Sequence, residues 1–510
     1  MTDGDPRVVA TAAGLVRGVE LDGLRAWRGI PYAAPPTGPL RFRPPELPGS
    51  WQGVREAAEF GPVAWQSETV NPFTGAPVRL DRDEDCLRVN VTAPVGPPSG
   101  PAGYPVLLWV HGGGYVQGTG SGEPVGDGRA LARRGLVVVT FNYRLGALGF
   151  LHLADLAGEY ADAGAAGFLD QVAALRWVHA NIAGFGGDPQ RVTVYGLSAG
   201  AKSVANLLAS PLAAGLIARA ISSSGGAEHV ASPDQAVHVR RRLLRELGVT
   251  DDDNGLRKLL GAPPADLVAA QEAIAAGAAG TWIWRPVRGG SGLPVLPIDA
   301  IAAGTGAAVP LLIGSNGNEG ASYQLMDPTA AGQAPRVLAE LFGPAAADSM
   351  LAGYAAARPE LDETGIRVAV LGDERYGVPT QRLALAQARH APVWRYRFDG
   401  LPPGLPAELA GGHGLDMAVW GADGLSSLAR SGDAQARLGV AMADSWSAFA
   451  RGEAPAAAGL PAWDQFDGAG ERTMILDAEP CMRSHPRQGE LDIWQGRTWQ
   501  SGTWWQFDGL

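Results

Sequence analysis

The sequence predicts an α/β protein: a large, mostly parallel central sheet flanked by helices, with helical insertions forming a cap in the second half of the chain. Three observations carry this. Tyr104 to Val110 (YPVLLWV) and Leu136 to Asn142 (LVVVTFN) are continuous apolar runs, the pattern of strands buried on both faces. Phe168 to Ile182 (FLDQVAALRWVHANI) spaces its apolar residues as a helix does, so strand and helix alternate. Arg191 to Ser210 (RVTVYGLSAGAKSVANLLAS) then reads as a buried strand, a sharp turn and a helix.

Composition bounds the rest. In 510 residues, 46% hydrophobic and 18% charged, there is neither the polarity of a disordered chain nor an apolar run near the ~18 residues of a membrane span. No long linker breaks the chain, so one domain over 1–510 is expected. The first residues, MTDGDPRVVATAAG, lack the apolar stretch of a secretory signal, and a cytoplasmic location is expected. The two cysteines, Cys86 and Cys481, are too few for a disulfide framework or a thiolate zinc site, and no metal or cofactor is predicted. A net charge of −11, from 41 basic and 52 acidic residues spread along the chain, disfavours a nucleic-acid partner and leaves a small molecule as the expected one.

In chain order, residues 7–50 predict a small sheet punctuated by Gly14, Gly18 and Gly23, followed by an ordered loop whose prolines at 31, 35, 36 and 39 exclude helix and strand. The strand at 104–110 empties into His111-Gly112-Gly113-Gly114-Tyr115. Three glycines after a buried strand leave backbone amides unobstructed, as an oxyanion hole requires; a plain tight turn fits equally, whereas a phosphate loop lacks its Gly-Lys-Ser/Thr. Residues 232–282 and 333–391 are more helical and predict insertions walling a pocket. Between them Val309 to Gly314 (VPLLIG) is a core strand leading into Ser315-Asn316-Gly317-Asn318-Glu319-Gly320. Val393 to Phe398 is another strand, Gly411-Gly412-His413-Gly414 a loop, and 434–451 a helix.

Chemistry centres on Ser198. Gly196 and Gly200 bracket Leu197-Ser198-Ala199 at the strand-to-helix turn, the form of a nucleophile elbow, which forces its serine into a strained conformation above the sheet edge. With 71 glycines in the chain the motif alone is weak evidence, so partners must decide. A serine hydroxyl needs a general base and an orienting acid. Of eight histidines, His413 is the one flanked by glycines in a loop after a late strand, while His111 more naturally shapes its own loop. Glu319 is set apart among carboxylates by its Gly/Asn-rich loop just past a buried strand. The order Ser198, Glu319, His413 is that of α/β-hydrolases.

Across nearly its whole length the sequence resembles the type-B carboxylesterases, the group of para-nitrobenzyl esterases, mammalian carboxylesterases and cholinesterases. The matching stretches are WRGIPYAAPPTGPLRF, EDCLRVNV, WVHGGGY, NYRLGALGFL, GFLDQVAALRWVHANIAGFGGDP, VTVYGLSAGA, LLIGSNGNEG and His413-Gly414. The resemblance implies an α/β-hydrolase fold and hydrolysis of small, largely apolar carboxylic esters through an acyl-enzyme. It implies a triad of Ser198, Glu319 and His413, with the amides of Gly113, Gly114 and Ala199 as the oxyanion hole. It further implies Ser224 behind the triad, pairing of Arg41 with Glu84 and of Arg144 with Asp170, and a substrate pocket including Leu197, Tyr115, Trp282 and Tyr323. Three departures stand out. Leu197 replaces the usual glutamate before the nucleophile, making cationic choline-type substrates unexpected. Ala64 replaces the cysteine that pairs with the counterpart of Cys86. Pro286-Val287-Arg288-Gly289-Gly290 departs from the usual Pro-Val-x-Asp-Gly. Amide or carbamate hydrolysis on the same triad, or a non-catalytic binding role, are the alternatives; oligomeric state is not legible.

Overall fold

The computed structural model describes residues 5–502, except 71–76, 97, 99–101, 123–127, 277–282, 403, 418–419 and 421–433. Its centre is an 11-stranded sheet. In chain order the strands are β1 Val19–Leu21, β2 Leu24–Pro31, β3 Arg88–Pro94, β4 Tyr104–Val110, β5 Val137–Phe141, β6 Gly187–Leu197, β7 Arg219–Ser223, β8 Leu311–Asn316, β9 Val393–Phe398, β10 Thr473–Leu476 and β11 Cys481–Arg483. They lie side by side as β11-β10-β9-β8-β7-β6-β4-β5-β3-β2-β1. The run from β5 to β10 is parallel, and the strands beyond it at both edges pair antiparallel.

The continuous apolar runs have the predicted cause. Along β4, Val106, Leu108 and Val110 enter the core on one face, and Leu107 and Trp109 enter the core on the other. Each fully buried aliphatic side chain stabilises by about 1.5–3 kcal/mol relative to exposure. Helix α1 (Ala166–Asn181) packs on one face, and helix α2 (Ala199–Ala209) follows β6 directly. The segment 7–50 divides between two sheets. Val8–Thr11 and Gly14–Arg17 form a three-stranded sheet with Val54–Glu56, whereas β1 and β2 join the edge of the large sheet.

Residues 232–275 hold three helices, Pro233–Glu246, Asp253–Gly261 and Pro264–Ala275, and residues 334–387 hold four more around a π-helical turn at Asp373–Gly377. Capping explains where the first two begin. The Ser232 hydroxyl accepts from the Gln235 amide at 3.2 Å while the Gln235 side chain accepts from the Ser232 amide at 2.9 Å. The acidic cluster at 251–253 serves the second, Asp252 accepting from the Gly255 amide at 2.9 Å.

Two buried ion pairs tie loops to this frame. Arg144, just after β5, makes two side-chain hydrogen bonds to Asp170 of α1 at 2.8 and 2.7 Å, and its amide donates a third at 3.0 Å. Arg41 is paired with Glu84 through its Nε at 2.8 Å and donates to the carbonyls of Leu259, Leu260 and Ala262. Cys86 is a buried free thiol beside Ala64, and burial holds it protonated. Asp170 is 0% exposed, so Asp170→Ala strands a buried guanidinium. The expected outcome is a loss of about 3–5 kcal/mol, read as a lower urea midpoint.

Candidate active site

The sequence after β6 cannot continue as strand or begin helix without a corner, and Ser198 is that corner. Its backbone sits at φ 58°, ψ −121°, a conformation costly for any residue with a side chain. The Ser198 amide donates to the Ser223 carbonyl of β7 at 2.9 Å, which holds the corner against the sheet. The flanking glycines are required by contact: a Cβ on Gly196 would lie 2.3 Å from the Gly200 backbone, and one on Gly200 would lie 2.0 Å from the Val110 carbonyl.

The carboxylate of Glu319, 3% exposed beyond β8, has both oxygens engaged. Oε1 accepts from the Ser224 hydroxyl at 2.6 Å and from the Asn316 amide at 2.7 Å, and Oε2 meets His413 Nδ1 at 2.6 Å. A carboxylate in this state only accepts, so Nδ1 carries the proton and Nε2 is the basic nitrogen. The histidine loop is fastened to the Glu319 loop by Asn318 N to Gly411 O at 2.8 Å, Asn316 Nδ2 to Gly412 O at 3.0 Å and Ser322 Oγ to His413 O at 3.0 Å.

The glycine run after β4 packs onto the elbow, where a Cβ on Gly112 would meet the Leu197 carbonyl at 2.8 Å. Gly113 and Gly114 take φ values of 104° and 64°. Among the described residues, the amides of Gly113, Gly114 and Ala199 donate to no protein acceptor. His111 shapes this loop as expected: its ring is buried, stacks on Tyr143 at 4.3 Å and bonds the Gly112 carbonyl at 2.9 Å. Burial pushes it down to about 4.

The remaining expected positions separate. Ser224 stands behind Glu319, as above. Leu197 is partly buried and reaches within 3.9 Å of where a Gly414 Cβ would stand, so it supports the histidine loop. Tyr323 is tilted against the His413 ring at 5.4 Å. Tyr115, expected to face the pocket, is fully enclosed instead: its backbone turns at φ 64°, its ring packs on Phe150 and His229, and its hydroxyl meets Ser203 at 3.2 Å. Trp282 lies outside the described residues.

Two residues were missed. Tyr376, on the π-helical turn, stacks on His413 at 4.3 Å, bonds the Tyr323 hydroxyl at 2.5 Å and sets its own hydroxyl beside Ser198. Nothing in the helical pattern of 333–391 marks that turn. Lys202, the charged residue in otherwise uncharged α2, was visible as an anomaly. Ser198 and His413 share no hydrogen bond among the described residues.

A model of the carboxylesterase family matches residues 5–494. The chain belongs to this family. The enzyme is 36% identical to the para-nitrobenzyl esterase of Bacillus subtilis (strain 168), over 94% of its own length and 96% of the relative's. It is 35% identical to a fumonisin B1 esterase of Sphingopyxis macrogoltabida, over 92% and 86% of the two chains. A solved para-nitrobenzyl esterase superposes with a TM-score of 0.83 at 34% identity, covering 96% of this chain and all of that one, and shares the α/β-hydrolase fold. The enzyme is thus a serine hydrolase acting on carboxylic esters. Among the described residues no helix is long and apolar enough to cross a membrane.

Ser224→Ala removes one of two donors to Glu319 Oε1, and kcat is expected to fall about tenfold with KM little changed. His111 titrates at about 4 when folded against an ordinary 6.5, so the unfolded chain binds the extra proton first between these values. Stability is therefore expected to fall as pH drops from 6.5 toward 4, and His111→Gln to flatten that slope in denaturant titrations.

Proposed function

We propose that Ser198 is the nucleophile, His413 its general base and Glu319 the residue that orients and stabilises the imidazolium. The observation that carries this is the 2.6 Å contact of His413 Nδ1 with a Glu319 carboxylate fully engaged by its other donors, next to a serine on a strained corner. Ser198 Oγ attacks the ester carbonyl carbon as its proton passes to His413 Nε2. The amides of Gly113, Gly114 and Ala199 receive the oxyanion, since they have no acceptor within the described chain. His413 then protonates the leaving alcohol as the ester C–O bond breaks. Water repeats the sequence on the acyl-enzyme and releases the acid. Leu197, in place of an acidic residue, removes a counter-charge for cationic alcohols. The helical insertions wall the pocket, and the free thiols of Cys86 and Cys481 support a cytoplasmic site of action.

Treatment of the folded protein with a fluorophosphonate is expected to give one adduct, mapped to Ser198 by mass spectrometry. Ser198→Ala is expected to abolish it and to lower turnover of a chromogenic short-chain ester by about 10⁴ or more. An adduct elsewhere, or none on folded protein, removes Ser198 from this role.

A further inference from the structure

Tyr376 sits on the π-helical turn Asp373–Gly377 and is wholly buried. An extra residue in a helical turn aims a side chain where a regular helix would not, and such turns gather at functional sites. This one is fixed from outside. The Asp373 carboxylate accepts from the Tyr354 hydroxyl and from Arg487, each at 2.6 Å, and Gly377 leaves it room, since a Cβ there would stand 2.1 Å from Asp373 Oδ1. Just before the turn, Gly372 lies against the Glu319 loop, where a Cβ would meet the Gly320 amide at 2.9 Å.

The ring is held as closely as the turn. It stacks on His413 at 4.3 Å, and the Lys202 ammonium lies 4.6 Å from its centre. The hydroxyl at its tip meets the Tyr323 hydroxyl at 2.5 Å and stands beside Ser198. A phenol has one proton to donate. With Tyr323 donating to Tyr376, the Tyr376 proton is left for Ser198, and each bond in such a chain strengthens the next. Burial pushes both phenols up, which keeps them protonated donors.

We propose that the Tyr376 hydroxyl is a catalytic hydrogen-bond donor to Ser198 Oγ, oriented by Tyr323. The inference rests on Ser198 being the nucleophile. Negative charge develops on Oγ at two points. The first is the attack on the ester, as the Oγ proton leaves for His413 Nε2. The second is the resolution of the acyl-enzyme, as the C–Oγ bond breaks, its electron pair returns to Oγ and His413 gives the proton back. The amides of Gly113, Gly114 and Ala199 serve the carbonyl oxygen through both steps. Tyr376 serves the other oxygen, donating a hydrogen bond and keeping its proton. Because ring and turn are already fixed, the donor needs no reorganisation when the charge appears.

Tyr376→Phe and Tyr323→Phe each keep the ring and remove one hydroxyl. On a chromogenic short-chain ester, Tyr376→Phe is expected to lower kcat about tenfold or more, and to slow phosphonylation of Ser198 by a fluorophosphonate by a similar factor. Tyr323→Phe is expected to lower kcat about threefold or more, with the double variant no slower than Tyr376→Phe alone, because Tyr323 acts through Tyr376. The acid limb of kcat/KM against pH, set by His413, is expected to stay in place in all three, which separates loss of the donor from a displaced histidine. A kcat within about threefold of the unaltered enzyme in folded Tyr376→Phe, additive losses in the double variant, or a shifted acid limb overturns the donor role. If Tyr376→Phe does not fold, Tyr323→Phe decides alone: a loss with the limb in place supports the role, and an unaltered kcat overturns it. Fluorophosphonate labelling of the unaltered enzyme away from Ser198 removes the nucleophile assignment instead.

Discussion

The approach of Gly200 to the Val110 carbonyl, where a Cβ would stand at 2.0 Å, fixes the positions of all the chemical groups around it. It brings the end of β4 and the start of α2 into backbone contact. The glycine loop and the corner at Ser198 are consequently one object, and the three amides without an acceptor among the described residues belong to these two segments. The parallel sheet supplies the rest. β8 and β9 run beside β7 in the same direction, so the loops carrying Glu319 and His413 emerge at the edge where Ser198 stands.

Much of this was legible in the residues. The continuous apolar run at 104–110 located β4 to the residue, because a strand buried on both faces favours apolar side chains throughout, and the alternation of VWRYRF located β9. Loop composition and chain order single out Ser198, Glu319 and His413, and the structure joins Glu319 to His413 directly. What stayed hidden depends on distant partners. The split of 7–50 between two sheets is decided by Val54–Glu56 and β3, which no local pattern reveals. Tyr115 carries the composition of a pocket residue but has a backbone turn that sends it inward. Tyr376 is placed by one irregular helical turn, and a helix reading of that stretch takes its ring for core.

The charged interior shows two different solutions to one cost. Arg144 with Asp170, and Arg487 with Asp373 at 2.6 Å, are buried cations matched to carboxylates by charge-assisted hydrogen bonds. Such pairs lock elements together. Lys202 is buried in another way, its ammonium 4.6 Å from the centre of the Tyr376 ring.

Arg41 links a proline-rich loop near the start of the chain to the last carbonyls of the helix Asp253–Gly261, while holding Glu84 with its other nitrogens. Mechanically this is a latch between the insertion and the body. The helix cannot swing outward as a free flap, because opening it breaks several charge-assisted hydrogen bonds at once and drags residues 38–43 with it.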